Sequence, residues 1–425
     1  MFGFGRDLRR LFAHARENDS AWVELIGADL LEAEARGQTT DSHRANRSDP
    51  VNDGLKAAAL WREHARRTGR RNSLARALEA ATEAAHSADT PVLRAEAALE
   101  TALCLMLQFE QRGGPHLLKQ IDLMLDGHEP GRKGPLTARM AGAHAKLEAL
   151  KARHSGEAGA MMDASALLDS ALHDLTRREE LTVETAEAQL DRASLALEAG
   201  LKRGDARLLD QAGRDLRARV TGRYSGLAVS TSARALTLCA AGLSALAALA
   251  GDADAREKAD EMFDAAADAF TPDHSPLDWA AIELARAVRS SSPDLGRMLE
   301  IEAVTAGEGL ILGALARERR LALEAAQAER DADAALLARM ETRLRRRLAQ
   351  GGAEDAPLDW AADQIGLAHV RLARARLTGR EDLSHLGLIL TEAAETAREL
   401  GAGLIADRAR EMMATLKQAS PSRPA

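Results

Sequence analysis

The sequence is poor in cysteine and in aromatic residues. Its 425 residues include only two cysteines, Cys104 and Cys239, and only 3% are aromatic. Two cysteines cannot build a disulfide framework or a cysteine-based zinc site. The scarcity of aromatic residues, combined with abundant alanine, argues against an all-β protein. The hydrophobic fraction of 46% is too high for a disordered chain.

Long apolar runs are also missing. The longest uncharged run lies between Arg234 and Asp252 and is shorter than the roughly 20 residues that a membrane span needs. Charged side chains interrupt the first 12 residues, so we expect no signal peptide. The formal net charge of −8 gives no global attraction to nucleic acid. The sequence therefore predicts a cytoplasmic protein without a transmembrane segment and without a nucleic-acid partner.

Motifs that mark enzymes are absent as well. The chain has no phosphate-binding loop, no dinucleotide fingerprint, no zinc-protease motif and no Gly-x-Ser-x-Gly sequence. Asp122 and Asp126 have the spacing of a magnesium-binding aspartate pair in helical isoprenoid synthases, but such enzymes need an aromatic-lined pocket. We therefore expect no catalytic residue, no cofactor and no metal.

Helical periodicity runs through nearly the whole sequence. Between Ala95 and Leu107, for example, apolar residues recur at steps of three and four. Short segments rich in glycine and proline interrupt the pattern at short intervals. This spacing predicts about 18 to 20 helices, joined by short loops and packed as antiparallel neighbours.

One hexapeptide occurs twice. Pro276-Leu-Asp-Trp-Ala-Ala281 is repeated as Pro357-Leu-Asp-Trp-Ala-Ala362, 81 positions later. Proline favours the first turn of a helix, and aspartate there complements the helix dipole. The interval is about twice the length of a helical-hairpin repeat. We therefore expect Trp279 and Trp360 to be mostly buried at equivalent positions of two hairpins.

The second copy resembles the first helix of a tetratricopeptide (TPR) repeat. The matching positions are Pro357, Trp360, Ala361, Gln364 and Gly366. The resemblance covers roughly residues 250–415. It implies a right-handed superhelical solenoid of antiparallel helical hairpins that binds other proteins through a concave groove. It implies no catalytic residues.

These patterns divide the chain into five parts. Residues 1–37 are expected to form a helical pair, 38–53 a polar loop, 54–250 TPR-like hairpins, 251–418 TPR-like repeats and 419–425 a disordered tail. Near the N-terminus, Phe4, Leu8, Leu11 and Phe12 fall on one helical face. Such a face is typical of a cap over the end of a solenoid, or of a helix that lies on a membrane surface. Both interpretations stay open.

Arginine clusters are the remaining candidate sites. One cluster contains Arg62, Arg66, Arg67, Arg70 and Arg71. A second set is our candidate partner-binding site: Arg317, Arg319, Arg320, Arg343, Arg346 and Arg347. Such clusters are usually solvated helix faces, but they also suit an acidic partner. Nucleic acid is disfavoured, because no aromatic residues accompany the arginines.

The sequence as a whole favours a non-catalytic scaffold or adaptor that binds a protein or peptide segment in a solenoid groove. Two alternatives remain. One is a regulatory or sensory helical domain that binds a peptide or small ligand, and the other is an all-helical enzyme without a recognisable motif.

Overall fold

The computed structural model describes residues 20–44, 49–127, 134–221, 229–289, 294–379, 383 and 385–419. These residues form 18 α-helices and two short 3₁₀ turns, and they contain no strand. The all-α fold class expected from the sequence is confirmed.

The helices are numbered α1 to α18 in chain order. The first nine are α1 (Ala28–Ser42), α2 (Pro50–Thr68), α3 (Arg71–Ser87), α4 (Pro91–Arg112), α5 (Pro115–Asp126), α6 (Pro135–Ser155), α7 (Ala158–Leu175), α8 (Thr182–Arg203) and α9 (Ala206–Thr221). The other nine are α10 (Val229–Ala250), α11 (Ala253–Ala269), α12 (Pro276–Arg289), α13 (Leu295–Thr305), α14 (Ile311–Arg330), α15 (Ala334–Gln350), α16 (Pro357–Thr378), α17 (Leu386–Glu399) and α18 (Gly403–Ala419). The 3₁₀ turns are Ser20–Leu25 and Glu179–Leu181.

The chain forms two compact units. Unit 1 contains Met1–Met106 and Leu118–Ile282, and unit 2 contains Leu107–Leu117 and Glu283–Ala425. Within unit 1, α2 packs on α3, α6 on α7, α8 on α9 and α10 on α11. The first helices of successive pairs also touch, since α6 contacts α8 and α8 contacts α10. Unit 1 is therefore built from consecutive helical hairpins.

A ladder of ion pairs fixes the register between α6 and α8. Its three pairs are Arg139–Glu184 at 3.1 Å, Lys146–Asp191 at 3.9 Å and Arg153–Glu198 at 3.2 Å. Successive partners on each helix are seven residues apart, which is close to two helical turns. The sequence interval within every pair is the same, so the two helices run parallel and in register.

The first described residues of unit 1 pack against the loop before α12. The backbone N–H of Ala28 donates to the Asp273 carbonyl at 2.9 Å, and the His274 imidazole bonds the Glu24 carbonyl at 2.8 Å. Arg67 is fully buried and donates to the carbonyls of Val23 and Ile26. Residues distant in sequence thereby meet in unit 1.

Unit 2 has its core among α14 to α18. Leu358, Ile365, Leu390 and Ile405 belong to one buried cluster of this core. The segment Leu107–Leu117 also belongs to unit 2, where the Gly114 N–H donates to the Leu400 carbonyl at 2.8 Å. Gly113 has φ +76° and lies so close to Leu400 that any side chain would collide with that carbonyl.

The expected polar loop between positions 38 and 53 needs correction. The predicted polar loop is helical at both ends, because α1 runs to Ser42 and α2 begins at Pro50. The reason is tertiary contact, since the Gln38 amide donates to the Asp53 carboxylate at 3.0 Å. Asp49 then caps α2 by accepting from the Asn52 N–H.

Both ends of the chain leave predictions open. Phe4, Leu8, Leu11 and Phe12 lie outside the described residues, so the cap and the membrane-surface helix both stay predictions. Of the predicted C-terminal tail, only Ala419 is described, and it is the last residue of α18.

The apolar helix α10 is longer than its uncharged run suggested. Residues Ser230–Ala250 are long and apolar enough to cross a membrane by length and composition, which corrects the estimate from the sequence. Within the most apolar stretch of this helix, 33% is buried inside the protein. Its Ala235 and Cys239 pack against Leu190 and Leu216. Core helices of soluble proteins can have the same length and apolar composition, so this helix is weak evidence for a membrane span.

The duplicated hexapeptide begins a helix in both copies. Pro276 starts α12, and Pro357 starts α16. Trp279 is 8% exposed, as expected. Trp360 is only partly buried and packs against the core of unit 2. The second tryptophan is thus less buried than the sequence suggested.

Candidate functional site

Four of the six arginines predicted to bind a partner are paired with carboxylates of this chain. Arg317 contacts Asp359 at 2.8 Å, and Arg347 contacts Asp363 at 2.9 Å. The acidic residues lie on α16, whereas Arg317 lies on α14 and Arg347 on α15. These contacts neutralise much of the positive charge that the sequence seemed to offer.

Glu324 joins the next two arginines. It accepts from Arg320 at 2.6 Å and lies 3.2 Å from Arg343. Arg320 is buried and also contacts Glu302 of α13 at 3.1 Å. Arg320 therefore stabilises the interior of unit 2 and is poorly placed to contact a partner.

The last two predicted arginines differ from each other. Arg319 is partly buried, and its pKa is lowered by burial and by the nearby Arg408. Arg346 is exposed on α15. Together with Arg339 and Arg343 it lines a shallow surface depression of ≈ 420 Å³.

Asp363 is a buried carboxylate of this region whose charge is only partly compensated. It is 4% exposed, and its Oδ1 atom has no hydrogen-bond partner within the described residues. Burial raises its pKa to about 6, against the opposing effect of Arg347 and Arg317. An unsatisfied buried acceptor carries a free-energy cost of about 1–3 kcal/mol.

Unit 1 contains a second charged region, in which arginines of the basic cluster near Arg66 meet carboxylates that the sequence did not connect with them. Arg66 of α2 donates two hydrogen bonds to Glu63, at 2.8 and 2.9 Å, and a third to Asp278 of α12 at 2.9 Å. Burial opposes the charge on Glu63, but Arg66 and Arg67 hold its pKa well below the usual range. The aspartate of the duplicated hexapeptide thus binds an arginine in each copy, Arg66 at Asp278 and Arg317 at Asp359.

A further pair extends this region across two more helices. Arg234 of α10 contacts Glu187 of α8 at 2.5 Å, and its Nε atom is buried without a hydrogen-bond partner within the described residues. Although burial opposes its charge, Arg234, Lys146 and Arg66 together lower the pKa of Glu187. Lys146 lies on α6, so α2, α6, α8 and α10 all contribute to the same electrostatic environment.

We call this set the polar face of unit 1: Glu63, Arg66, Lys146, Glu187, Arg234 and Asp278. The side chains of the inter-helix pairs Arg66–Asp278 and Arg234–Glu187 are between 16% and 36% exposed. They therefore remain in contact with solvent while their donors and acceptors are held in place. The turn at Ser20–Leu25 adds Glu24, which accepts from the Ser230 N–H at 2.7 Å and whose pKa is raised by burial and by Glu63.

The sequence signal for the polar face is weak. Arg62, Arg66 and Arg67 were recognised as a basic cluster, but their carboxylate partners were not. Arg62 contacts Glu100, 38 positions away. Arg66 contacts Asp278, 212 positions away. Only the matching position of the aspartates in the duplicated hexapeptide could have suggested a common role.

The cysteines behave as small apolar residues. Cys104 and Cys239 are both buried and free, and burial raises the pKa of each thiol. A thiol of raised pKa is a poor nucleophile. In the part of the chain that the structure describes, no group of three or more His, Cys, Asp or Glu side chains could hold a metal ion.

Comparison with known proteins gives limited information. No protein-family model matches the chain, and no curated protein is significantly similar to it. One similar solved structure is that of a Rap protein complexed with competence and sporulation factor. It is 14% identical with a TM-score of 0.47, and the match covers 88% of this chain and 99% of that chain.

A second similar structure is a circular tandem repeat protein with novel repeat topology and enhanced subunit contact surfaces. It is 17% identical with a TM-score of 0.22, and the match covers 92% of this chain and 90% of that chain. Similarities at this level do not assign a function to the chain.

Proposed function

We propose that this chain is a non-catalytic helical-repeat protein that binds a peptide or protein segment on the polar face of unit 1. One observation carries the proposal. Charged side chains from helices widely separated in sequence, α2, α6, α8, α10 and α12, share one electrostatic environment and stay partly exposed to solvent.

Holding these charges partly out of water has an energetic cost. Partly removing charges from water is unfavourable unless oppositely charged partners compensate. An apolar contact of similar volume often stabilises a fold at least as much as such an ion pair does. Here the partners hold each other rigidly. Arg66 has three hydrogen bonds to carboxylates, so little side-chain entropy is left to lose when a ligand binds.

The ligand chemistry follows from the balance of charges. Arg66 pairs with Glu63 and Asp278, Arg234 pairs with Glu187, and Lys146 helps to lower the pKa of Glu187, so charges of both signs lie together on the polar face. Such a surface suits the alternating N–H and C=O groups of a peptide backbone together with charged side chains of either sign. It does not select for a purely acidic partner.

The proposal can be tested with peptides selected from a random display library against the purified 425-residue chain. We expect selected peptides to lose affinity when Glu187→Gln and Arg234→Gln are introduced together. This double change leaves the net charge unchanged but removes the charged pair between α8 and α10. Isothermal titration calorimetry measures the loss.

A matched control uses the exposed pair Asp210 and Arg214 of α9, which are one helical turn apart. Asp210→Asn with Arg214→Gln should leave the affinity of the same peptides unchanged. Equal affinity of the polar-face variant and the wild type would refute the site. Turnover of a small molecule by the purified chain, abolished by one substitution, would refute the non-catalytic function itself.

A further inference from the structure

The outward face of α15 is lined by arginines around a floor of small residues. Arg339, Arg343 and Arg346 border a shallow depression of ≈ 420 Å³, and Ala338 and Thr342 complete its lining. The three arginines lie at positions i, i+4 and i+7 of the helix, so their side chains emerge on one side. We call these five residues the arginine face.

The opposite side of α15 anchors the helix. Leu337, Met340 and Leu344 are 0–3% exposed and belong to the core cluster that α15 forms with α14 and α16. Because this side is close-packed, the backbone beneath the arginine face is held in place. The face spans about 10 Å along the helix axis, at 1.5 Å per residue.

Three of the five arginines of α15 already bind carboxylates of this chain. The pairs are Arg343 with Glu324 at 3.2 Å, Arg345 with Glu341 at 2.7 Å and Arg347 with Asp363 at 2.9 Å. Arg339 and Arg346, in contrast, take part in no ion pair within the described residues, and both are exposed. Within the described residues, Arg339 and Arg346 are therefore the arginines of α15 whose charge no carboxylate neutralises.

We propose that the arginine face binds an acidic helical segment of a partner protein. Carboxylates at positions i, i+4 and i+7 of such a segment have the same spacing as Arg339, Arg343 and Arg346. A guanidinium offers two parallel N–H donors to one carboxylate. The floor of Ala338 and Thr342 leaves room for glutamate side chains to enter between the arginines. This inference concerns unit 2 and does not depend on the polar face of unit 1.

Other anionic partners fit less well. Binding of single-stranded nucleic acid relies on aromatic side chains that stack on bases, and none lines the depression. A helix that lies on a membrane needs large apolar side chains to insert between lipids, and these are also missing from the lining. The arginine face offers charge without an apolar or aromatic platform, which suits the carboxylates of a peptide.

The test measures fluorescence anisotropy of a labelled alanine-based helical peptide that carries glutamates at positions i, i+4 and i+7. We expect this peptide to bind the 425-residue chain more tightly than a permuted peptide of the same composition with a different glutamate spacing does. Binding should weaken as salt rises, because exposed charges are screened within about 8–10 Å at physiological ionic strength. Arg339→Gln with Arg346→Gln should weaken binding by about two- to thirty-fold.

Arg398→Gln is the matched control, because Arg398 is an exposed arginine on another helix of unit 2, α17. This change should leave the affinity for the peptide unchanged. Circular dichroism of all variants establishes that the helices are intact. Since Arg339 and Arg346 make no ion pair in the described structure, their replacement should not alter the melting temperature.

Three results would overturn the proposal. The first is equal binding of the matched and permuted peptides, and the second is unchanged binding by the Arg339→Gln/Arg346→Gln variant. The third is binding of a different kind of partner that is lost in the Arg339→Gln/Arg346→Gln variant. Sedimentation analysis distinguishes these partners. Self-association of the protein that depends on Arg339 and Arg346 would assign the face to a second copy of the chain. Co-sedimentation with a single-stranded oligonucleotide or with phosphatidylserine vesicles would assign it to nucleic acid or to a lipid surface.

Discussion

Asp363 shows how a single buried carboxylate couples stability to pH. Burial raises its pKa from 3.8 to about 6 in the folded chain. The folded state therefore binds a proton more tightly than the unfolded state. The resulting stabilisation is complete below about pH 4 and is lost as the pH rises through about 6. The sign is opposite to that of most paired carboxylates.

We predict that Asp363→Asn will remove this dependence. Between about pH 4 and pH 7 the wild type should lose up to about 3 kcal/mol more stability than the variant, at 1.36 kcal/mol for each unit of pKa difference. Melting temperatures from calorimetry at several pH values measure the difference. Asp407→Asn, at an exposed carboxylate paired with Arg410, is the control and should follow the wild type. Parallel pH profiles of wild type and Asp363→Asn would contradict the prediction.

Several arginines that the sequence predicted to bind a partner are paired with carboxylates of this chain. The arginines at 317, 343 and 347 look free in the sequence because their carboxylate partners lie 16 or more positions away along the chain. Asp359, for example, is 42 positions from Arg317 but 2.8 Å from it in space. An ion pair of this kind leaves no local pattern, so only the fold reveals it.

At the scale of helices, close approach between α14 and α16 depends on one glycine. A side-chain carbon at Gly366 would lie 2.4 Å from the Cδ1 atom and 3.0 Å from the Cβ atom of Leu321. Leu321 is completely buried, so it has little room to move. The small residue expected from the repeat pattern is therefore a packing requirement.

Gly366→Ala should destabilise unit 2 by about 1–2 kcal/mol, because overpacking costs about 1–3 kcal/mol and the better helix former returns at most about 1 kcal/mol. Gly37→Ala in α1 provides the comparison, since nothing lies within 4 Å of the added carbon. That change should stabilise the protein slightly. Thermal unfolding of both variants distinguishes the effects. A more stable Gly366→Ala protein would mean that the two helices can separate without cost.

Helix boundaries show what periodicity can and cannot predict. Apolar steps of three and four residues found the helices because every helix buries one side. The same signal missed both ends of the segment 38–53, where polar residues continue the helices. There the Trp61 indole N–H donates to the Thr39 hydroxyl at 3.0 Å, a contact that no local pattern announces.

At the scale of the whole molecule, sequence order and unit membership do not coincide. Leu107–Leu117 belongs to unit 2, although residues on both sides of it belong to unit 1. Helix α4 runs without interruption from Pro91 to Arg112 and so contributes to both units. The domain boundary near residue 250 that the sequence suggested is not where the compact units divide, because unit 1 extends to Ile282.

A fragment that ends at residue 282 should therefore be incomplete. Leu107, Phe109 and Leu117 are 4–9% exposed in the full chain, and the fragment lacks the rest of their unit. We predict that amides of residues 107–117 exchange with deuterium much faster in the fragment than in the full chain. Amides of α6 to α8 should be protected in both. Equal protection of residues 107–117 would show that this segment folds without the rest of unit 2.

The same arrangement sets an order of events during synthesis. The segment Leu107–Leu117 leaves the ribosome long before Leu400, the residue that its glycine turn contacts. At about 5–20 residues per second, roughly 15–60 s pass before that partner is made. Throughout this interval the apolar side chains of the segment lack their packing partners, and the Gly114 N–H lacks the Leu400 carbonyl. Unit 2 can close only after Leu400 has been synthesised, whereas the hairpins of unit 1 can form as they emerge.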